Sequence, residues 1–161
     1  MVRKNPTYLK RQCLVGGKRR TLEQLCGVVA VKASEQFPVT EPKEDRIRDQ
    51  WRTFEQAGYR FVDMGTVINS ELHPVFIHQT LLMLGTRRLV AKLKPDLKPS
   101  QTHNALSICG LKVIRELKFG PNLFEVELAE TADPIEFAER LSGTEDFLYL
   151  EPQFIQCVSP R

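Results

Sequence analysis

The amino-acid sequence predicts an α+β protein built on an antiparallel sheet. Three observations lead to this class. Short segments in which apolar and polar residues alternate recur along the chain, as in half-buried strands. Segments with helical apolar spacing, such as 43–57 and 134–142, lie between them. Turn signals such as Gly120-Pro121-Asn122 separate neighbouring strands by a few residues, which favours hairpin pairing.

Size and composition limit the class further. The chain has 161 residues, of which 42% are hydrophobic and 27% are charged, so one or two globular domains are expected. It contains no apolar run of the roughly 20 residues that a membrane helix needs. The N-terminal residues lack the apolar region of a secretory signal, so the expected location is cytoplasmic, with export expected only if the chain is part of a larger precursor. The four cysteines match no zinc-binding spacing and are expected to be free thiols in a reducing compartment.

The elements of the C-terminal half, residues 85–161, are the clearest. Alternation predicts a strand over 88–94, which Pro95 ends, and Ser100 is expected to cap a short helix that ends near Cys109. The next strand is predicted over 111–119, with Arg115 as an exception on its apolar face. That face is expected to contain Leu111, Val113, Leu117 and Phe119.

A second strand of the same hairpin is predicted over 123–129, with Glu125 and Glu127 directed away from the core. Asp133 is the predicted N-cap of a helix over 134–142, which Phe137 anchors in the core, and 147–150 form a last strand. The order β-α-β-β-α-β predicts a ferredoxin-like arrangement, in which two helices cover one face of a four-stranded antiparallel sheet.

The N-terminal half divides into two parts. Residues 25–84 predict a smaller, related α+β unit, with strands at 28–32, 59–64 and 73–78 and a helix that carries Ile47, Trp51 and Phe54. Residues 1–20 contain seven basic residues and no acidic residue, whereas the other 141 residues contain 16 basic and 20 acidic residues. Residues 1–24 are therefore predicted to form a basic flexible arm.

Catalytic and ligand-binding motifs are missing from the sequence. His73 and His78 lie five residues apart on one predicted strand, so they face opposite sides and cannot share a metal ion. His103 has no acidic neighbour. The chain contains no phosphate-binding loop, nucleophile elbow or zinc-protease motif. We therefore expect no enzymatic activity, no metal and no cofactor, and the outward glutamates of 122–130 disfavour nucleic-acid binding by the sheet.

Residues 88–155 resemble the propeptide of subtilisin-like serine proteases, a domain that inhibits the protease and assists its folding. The resemblance is carried by RLVAKLKP (88–95), CGLKVIRELKFGPNLFEVELAE (109–130), DPIEFAERLSG (133–143) and FLYLEPQFI (147–155). It implies a protein that binds and inhibits, or chaperones, a subtilisin-like protease. The open sheet face would dock on two surface helices of the protease, and the C-terminal tail would lie in the active-site cleft as an added strand.

The resemblance also implies which residues contact the partner. Glu125 and Glu127 would face the positive N-termini of the partner's helices, or else they are ordinary solvated strand residues. The tail residues implied in cleft binding are Phe154, Ile155, Gln156, Cys157 and Val158. Alternatively, Phe154 and Ile155 pack against the domain as its final strand.

Two other functions compete with protease inhibition. The chain could be a protein-interaction or regulatory module that reuses the propeptide fold without inhibiting anything. It could also assist nucleic-acid binding through its basic arm. The oligomeric state stays open.

Overall fold

A computed structural model describes residues 8–32, 45–66, 71–129, 133–144 and 146–157. These residues form an antiparallel eight-stranded sheet and three α-helices, which confirms the α+β class. The strands are β1 (Tyr8–Val15), β2 (Lys18–Lys32), β3 (Tyr59–Asp63), β4 (His73–His78), β5 (Leu81–Leu93), β6 (Lys112–Glu116), β7 (Leu123–Glu127) and β8 (Phe147–Gln156). The helices are α1 (Asp45–Gln56), α2 (Pro99–Ile108) and α3 (Pro134–Leu141).

The strands follow the hydrogen-bonded order β1-β2-β4-β5-β7-β6, with β3 also paired to β2 and β8 also paired to β5. The chain separates into two compact units. Among the described residues, the first unit comprises 8–11, 21–32, 45–66, 71–85 and 154–157, and the second comprises 12–20, 86–129, 133–144 and 146–153.

The first unit is centred on helix α1. Ile47, Trp51 and Phe54 are buried on one side of this helix, as the helical spacing predicted. Trp51 stacks on Phe61 of β3 with 3.7 Å between the ring centroids. Gly58 has φ +100°, a conformation that lets the chain leave α1 and enter β3 at once.

The two histidines of β4 differ in burial. His73 is 6% exposed, and its Nδ1 lies 2.8 Å from the carbonyl oxygen of Gly85. His78 is half-buried. His73 therefore takes part in the packing of the first unit, where its ring meets a backbone carbonyl group.

The basic segment does not behave as a flexible arm. The prediction for residues 1–24 is wrong over 8–24, which form β1 and the start of β2; residues 1–7 lie outside the described part of the chain. Gly16 and Gly17 both have positive φ, which suits a tight hairpin turn. Cys13 and Leu22 are buried while Lys18 is exposed, so strand alternation separates the basic side chains from the apolar ones.

The second unit has its core between strands and two helices. Leu89 of β5, Phe124 of β7, Leu106 of α2 and Phe137 of α3 belong to one buried cluster. The predicted hairpin is confirmed, since β6 and β7 pair antiparallel. The N-cap is also confirmed, because the Asp133 carboxylate accepts hydrogen bonds from the first backbone N–H groups of α3.

Two local predictions in the second unit are wrong. Helix α2 begins one residue before the expected cap, with Lys98 at the N-cap position and Pro99 as the first helical residue. Proline suits that position because its missing N–H would have no helical acceptor there. Phe119 is 83% exposed rather than in the core, because β6 ends at Glu116 and the chain then enters the turn towards β7.

Candidate partner-binding surface

Strand β7 lies between β5 and β6 and sets the face that the helices leave uncovered. Residues directly opposite each other on paired antiparallel strands point to the same face. Glu127 lies opposite Arg88 on β5 and opposite Lys112 on β6, whereas Val126 points into the core that α2 and α3 cover. We call the side that carries Glu127 the open face. On β5, β6 and β7 its residues are Arg88, Val90, Lys92, Lys112, Arg115, Leu123, Glu125 and Glu127.

The centre of the open face is a buried carboxylate held by two arginines. Glu125 is 5% exposed. Its Oε2 accepts a hydrogen bond from Arg115 Nε at 2.7 Å, and its Oε1 accepts one from Arg88 Nη1 at 3.2 Å. The side chains of Arg88 and Arg115 are 53% and 69% exposed. One negative charge is therefore covered by two guanidinium groups that still reach solvent.

A bulge in β6 places Arg115 on this face. Lys112 and Val113 pair with Glu127 and Val126, but the next residue of β7, Glu125, pairs with Arg115. Ile114 is thus an extra residue without a partner on β7. Strict alternation from Val113 directs Arg115 into the core, and the bulge turns it outward onto Glu125 instead.

The outer carboxylate of the open face is also paired. Glu127 Oε1 lies 3.1 Å from Arg87 Nη2, and both side chains are about a quarter exposed, at 24% and 28%. Lys92 donates a hydrogen bond to the carbonyl oxygen of Pro121 in the turn between β6 and β7. Both glutamates of β7 therefore have basic partners within their own chain.

These contacts correct the electrostatic expectation for the sheet. Glu125 and Glu127 were expected either to meet helix N-termini of a partner or to be solvated. Glu125 is instead buried beneath arginine side chains, so it does not present a free carboxylate. On β5, β6 and β7 the open face carries four cationic side chains and two carboxylates, so this part of the face is positive.

The tail residues are not free. β8 continues to Gln156, so the prediction of a last strand that ends at residue 150 is wrong. Within the first unit, the Phe154 ring meets Phe76 edge to face, with 5.4 Å between centroids. The structure corresponds to the alternative in which Phe154 and Ile155 pack as a final strand.

The end of the described tail is tied to the first unit in the same way. Ile155 and Cys157 pack against its core cluster. Gln156 is exposed, and its Nε2 lies 3.4 Å from Met83 Sδ. Burial raises the pKa of the Cys157 thiol, whose Sγ is 3.6 Å from the Gln50 carbonyl oxygen. Val158 lies outside the described residues.

Across the described residues, no group of three His, Cys, Asp or Glu side chains is arranged to hold a metal ion. His103 is exposed on α2, with its ring centroid 6.3 Å from that of Phe124. No helix in the described ranges is long and apolar enough to cross a membrane. Comparison with protein families found no match, and searches of curated proteins and of solved structures found no similar protein.

Proposed function

We propose that the chain is a propeptide-like protein that binds a subtilisin-like serine protease through the open face of its second unit. The observation that carries the proposal is the order of elements in this unit. Along the chain the order is β5-α2-β6-β7-α3-β8, and across the sheet it is β8-β5-β7-β6. Within the eight-stranded sheet, this order supports the ferredoxin-like arrangement that the order of elements in the sequence predicts.

The direction of β8 supports the same arrangement. Lys94 N donates to the Asp146 carbonyl oxygen at 3.0 Å, and Thr86 Oγ1 donates to the Gln153 carbonyl oxygen at 2.8 Å. The later residue at the β5 side, Lys94, bonds the earlier residue at the β8 side, Asp146, and the earlier Thr86 bonds the later Gln153. β8 therefore runs antiparallel to β5. Two helices then cover one face of four strands, and the opposite face is left for a partner protein.

Inhibition is the second part of the proposal and depends on the tail. A tail that occupies a protease cleft as an added strand must first leave the first unit. Phe154, Ile155 and Cys157 would lose their present packing in doing so. We therefore expect docking through the open face to come first and cleft binding by the tail to follow it.

The packed tail also favours a second candidate function. A module that binds its partner through the open face alone would keep residues 154–157 in the first unit and would not block a cleft. Such a protein binds without inhibiting. Neither candidate assigns catalysis to this chain.

One experiment separates the two candidates. A panel of purified subtilisin-like proteases is titrated with the full chain, with a chain that ends at Cys157 and with a chain that ends at Pro152. Binding is measured in parallel by calorimetry on the same proteases after their active-site serines have been blocked covalently. Thermal unfolding of each chain controls for loss of β8 packing.

The outcomes are distinct. Inhibition by the full chain and by the chain ending at Cys157, lost on truncation at Pro152 while binding to a blocked protease persists, supports the inhibitor. Binding by all three chains without inhibition supports the interaction module. Absence of binding to every protease of the panel rejects a protease partner.

A further inference from the structure

We infer that the partner surface that docks on the open face is acidic, and that Arg88 and Arg115 contact its carboxylates. The inference rests on the proposed function in one respect only, namely that the open face is the docking surface. It reverses the chemistry implied by the glutamates of β7 alone, for which helix N-termini would be the partners.

Each of the two arginines has N–H donors that its bond to Glu125 does not use. Each guanidinium carries five N–H donors. Arg115 uses Nε for Glu125, and Arg88 uses Nη1. With side chains 69% and 53% exposed, the remaining N–H groups can reach a partner. A planar guanidinium with free terminal N–H groups suits a carboxylate, which it can bind in a bidentate manner.

The positive charge is local to this face. Residues 86–153 contain nine basic and eleven acidic residues, so the segment as a whole is slightly negative. Four of the nine basic residues nevertheless lie on the open face beside only two carboxylates. Such segregation steers an oppositely charged partner to one side of a molecule.

An acidic protein surface fits this face better than a nucleic acid does. Sheets that bind single-stranded nucleic acids present aromatic rings on which bases stack. The eight residues that β5, β6 and β7 place on the open face include no aromatic residue: they are Arg88, Val90, Lys92, Lys112, Arg115, Leu123, Glu125 and Glu127.

Glu125 is the positioning residue of this site. It is too deeply buried to contact a partner, but it fixes one donor of each arginine on a three-stranded platform. This role separates two effects of replacing Glu125 with Gln. The replacement makes the face more positive, so attraction by charge alone would strengthen the binding of an acidic ligand. Loss of the fixed arginine geometry would weaken it.

The test uses a fluorescein-labelled peptide of ten glutamates as the acidic probe, with binding to the full chain measured by fluorescence anisotropy. We expect Arg88→Gln and Arg115→Gln each to weaken binding about 3- to 10-fold, and a rise in salt to weaken it further. Glu125→Gln should also weaken binding despite its added positive charge. Arg52→Gln on α1 and Lys18→Gln in the β1–β2 turn region remove the same charge elsewhere and should leave the dissociation constant unchanged.

Three results would overturn the inference. The first two are no binding of the peptide, and equal binding of the peptide by the wild type and the two arginine variants. The third is that a twenty-residue oligothymidylate binds more tightly than the peptide and depends on the same arginines. Tighter peptide binding by Glu125→Gln would reject the positioning role. Because the peptide assay contains no protease, its result is independent of the protease panel. A protease that binds the wild type and the arginine variants equally would leave the proposed function standing and reject the acidic contact.

Discussion

The link between Glu125 and Arg115 can be measured by a double-mutant cycle. The variants are Glu125→Gln, Arg115→Gln and the double variant, and Arg88→Gln gives a second cycle on the same carboxylate. Glutamine keeps the shape of the buried side chain, but one carboxylate oxygen becomes an NH₂ group that meets a guanidinium donor. The variants therefore remove the ion pairs without opening a cavity.

The burial of the three side chains sets the expected loss of stability. Breaking a fully buried ion pair costs about 3–5 kcal/mol, because a charge is left buried without a partner. Here the carboxylate is the buried partner, and the arginines are 53% and 69% exposed, so water can hydrate them once they are released. Exposed pairs couple by only about 0.2–1 kcal/mol. We expect Glu125→Gln to lower the free energy of unfolding by about 1–2 kcal/mol, between these limits.

The two cycles should give different coupling energies. The Arg115 contact is shorter, at 2.7 Å against 3.2 Å for Arg88. We expect a coupling energy of about 1 kcal/mol for Arg115 and about half of that for Arg88.

Urea unfolding followed by circular dichroism measures both cycles, with an unchanged m-value as the condition for comparing variants. Coupling energies indistinguishable from zero, or a larger value for Arg88, would refute the geometry described for the open face.

Further predictions concern packing and accessibility. Phe137→Ala should lower the free energy of unfolding by about 3–5 kcal/mol and Leu22→Ala by about 2–5 kcal/mol, since each side chain is buried. Urea unfolding measures both. A loss under about 0.5 kcal/mol for Leu22→Ala would mean that the hairpin of β1 and β2 is not packed. Burial raises the pKa of Cys157 and leaves less thiolate at a given pH, so a disulfide reagent at pH 8 should label exposed Cys26 before Cys157, as read by peptide mass spectrometry; faster labelling of Cys157 would contradict the packed tail. Deletion of Ile114 should keep Arg115 opposite Glu125 and change the thermal midpoint little, whereas deletion of Val126 from the regular strand β7 should prevent folding.

The elements that the sequence predicted well carry strong local signals. Helix α1 places Ile47, Trp51 and Phe54 on one side at helical spacing, and all three are buried. Helix α3 begins at Pro134, directly after Asp133, whose side chain caps the first turn. In both cases the signal lies within a dozen residues, so no knowledge of the rest of the chain was needed.

A local sequence pattern was not enough to predict two features of the fold. These are the hairpin of β1 and β2 and the packing of the tail. The dense basic charge of residues 1–20 masked the alternation that buries Cys13 and Leu22. Phe154 and Ile155 were correctly seen as strand residues, but their partners lie far away in the sequence, as the contact with Phe76 shows. Strand propensity identifies such segments without telling which neighbours they find.

The charge of the open face depends on three strands at once, and this is why β7 alone was misleading. Glu125 meets Arg88 from 37 residues away and Arg115 from 10 residues away. Arg115 reaches it only because Ile114 interrupts the alternation of β6. The charge of a sheet surface is the sum of the charged side chains that neighbouring strands place on it. Here β7 alone contributes negative charge, and the basic residues of β5 and β6 make the surface positive. The partner chemistry expected for the face changes with it, from the positive end of a helix to a carboxylate.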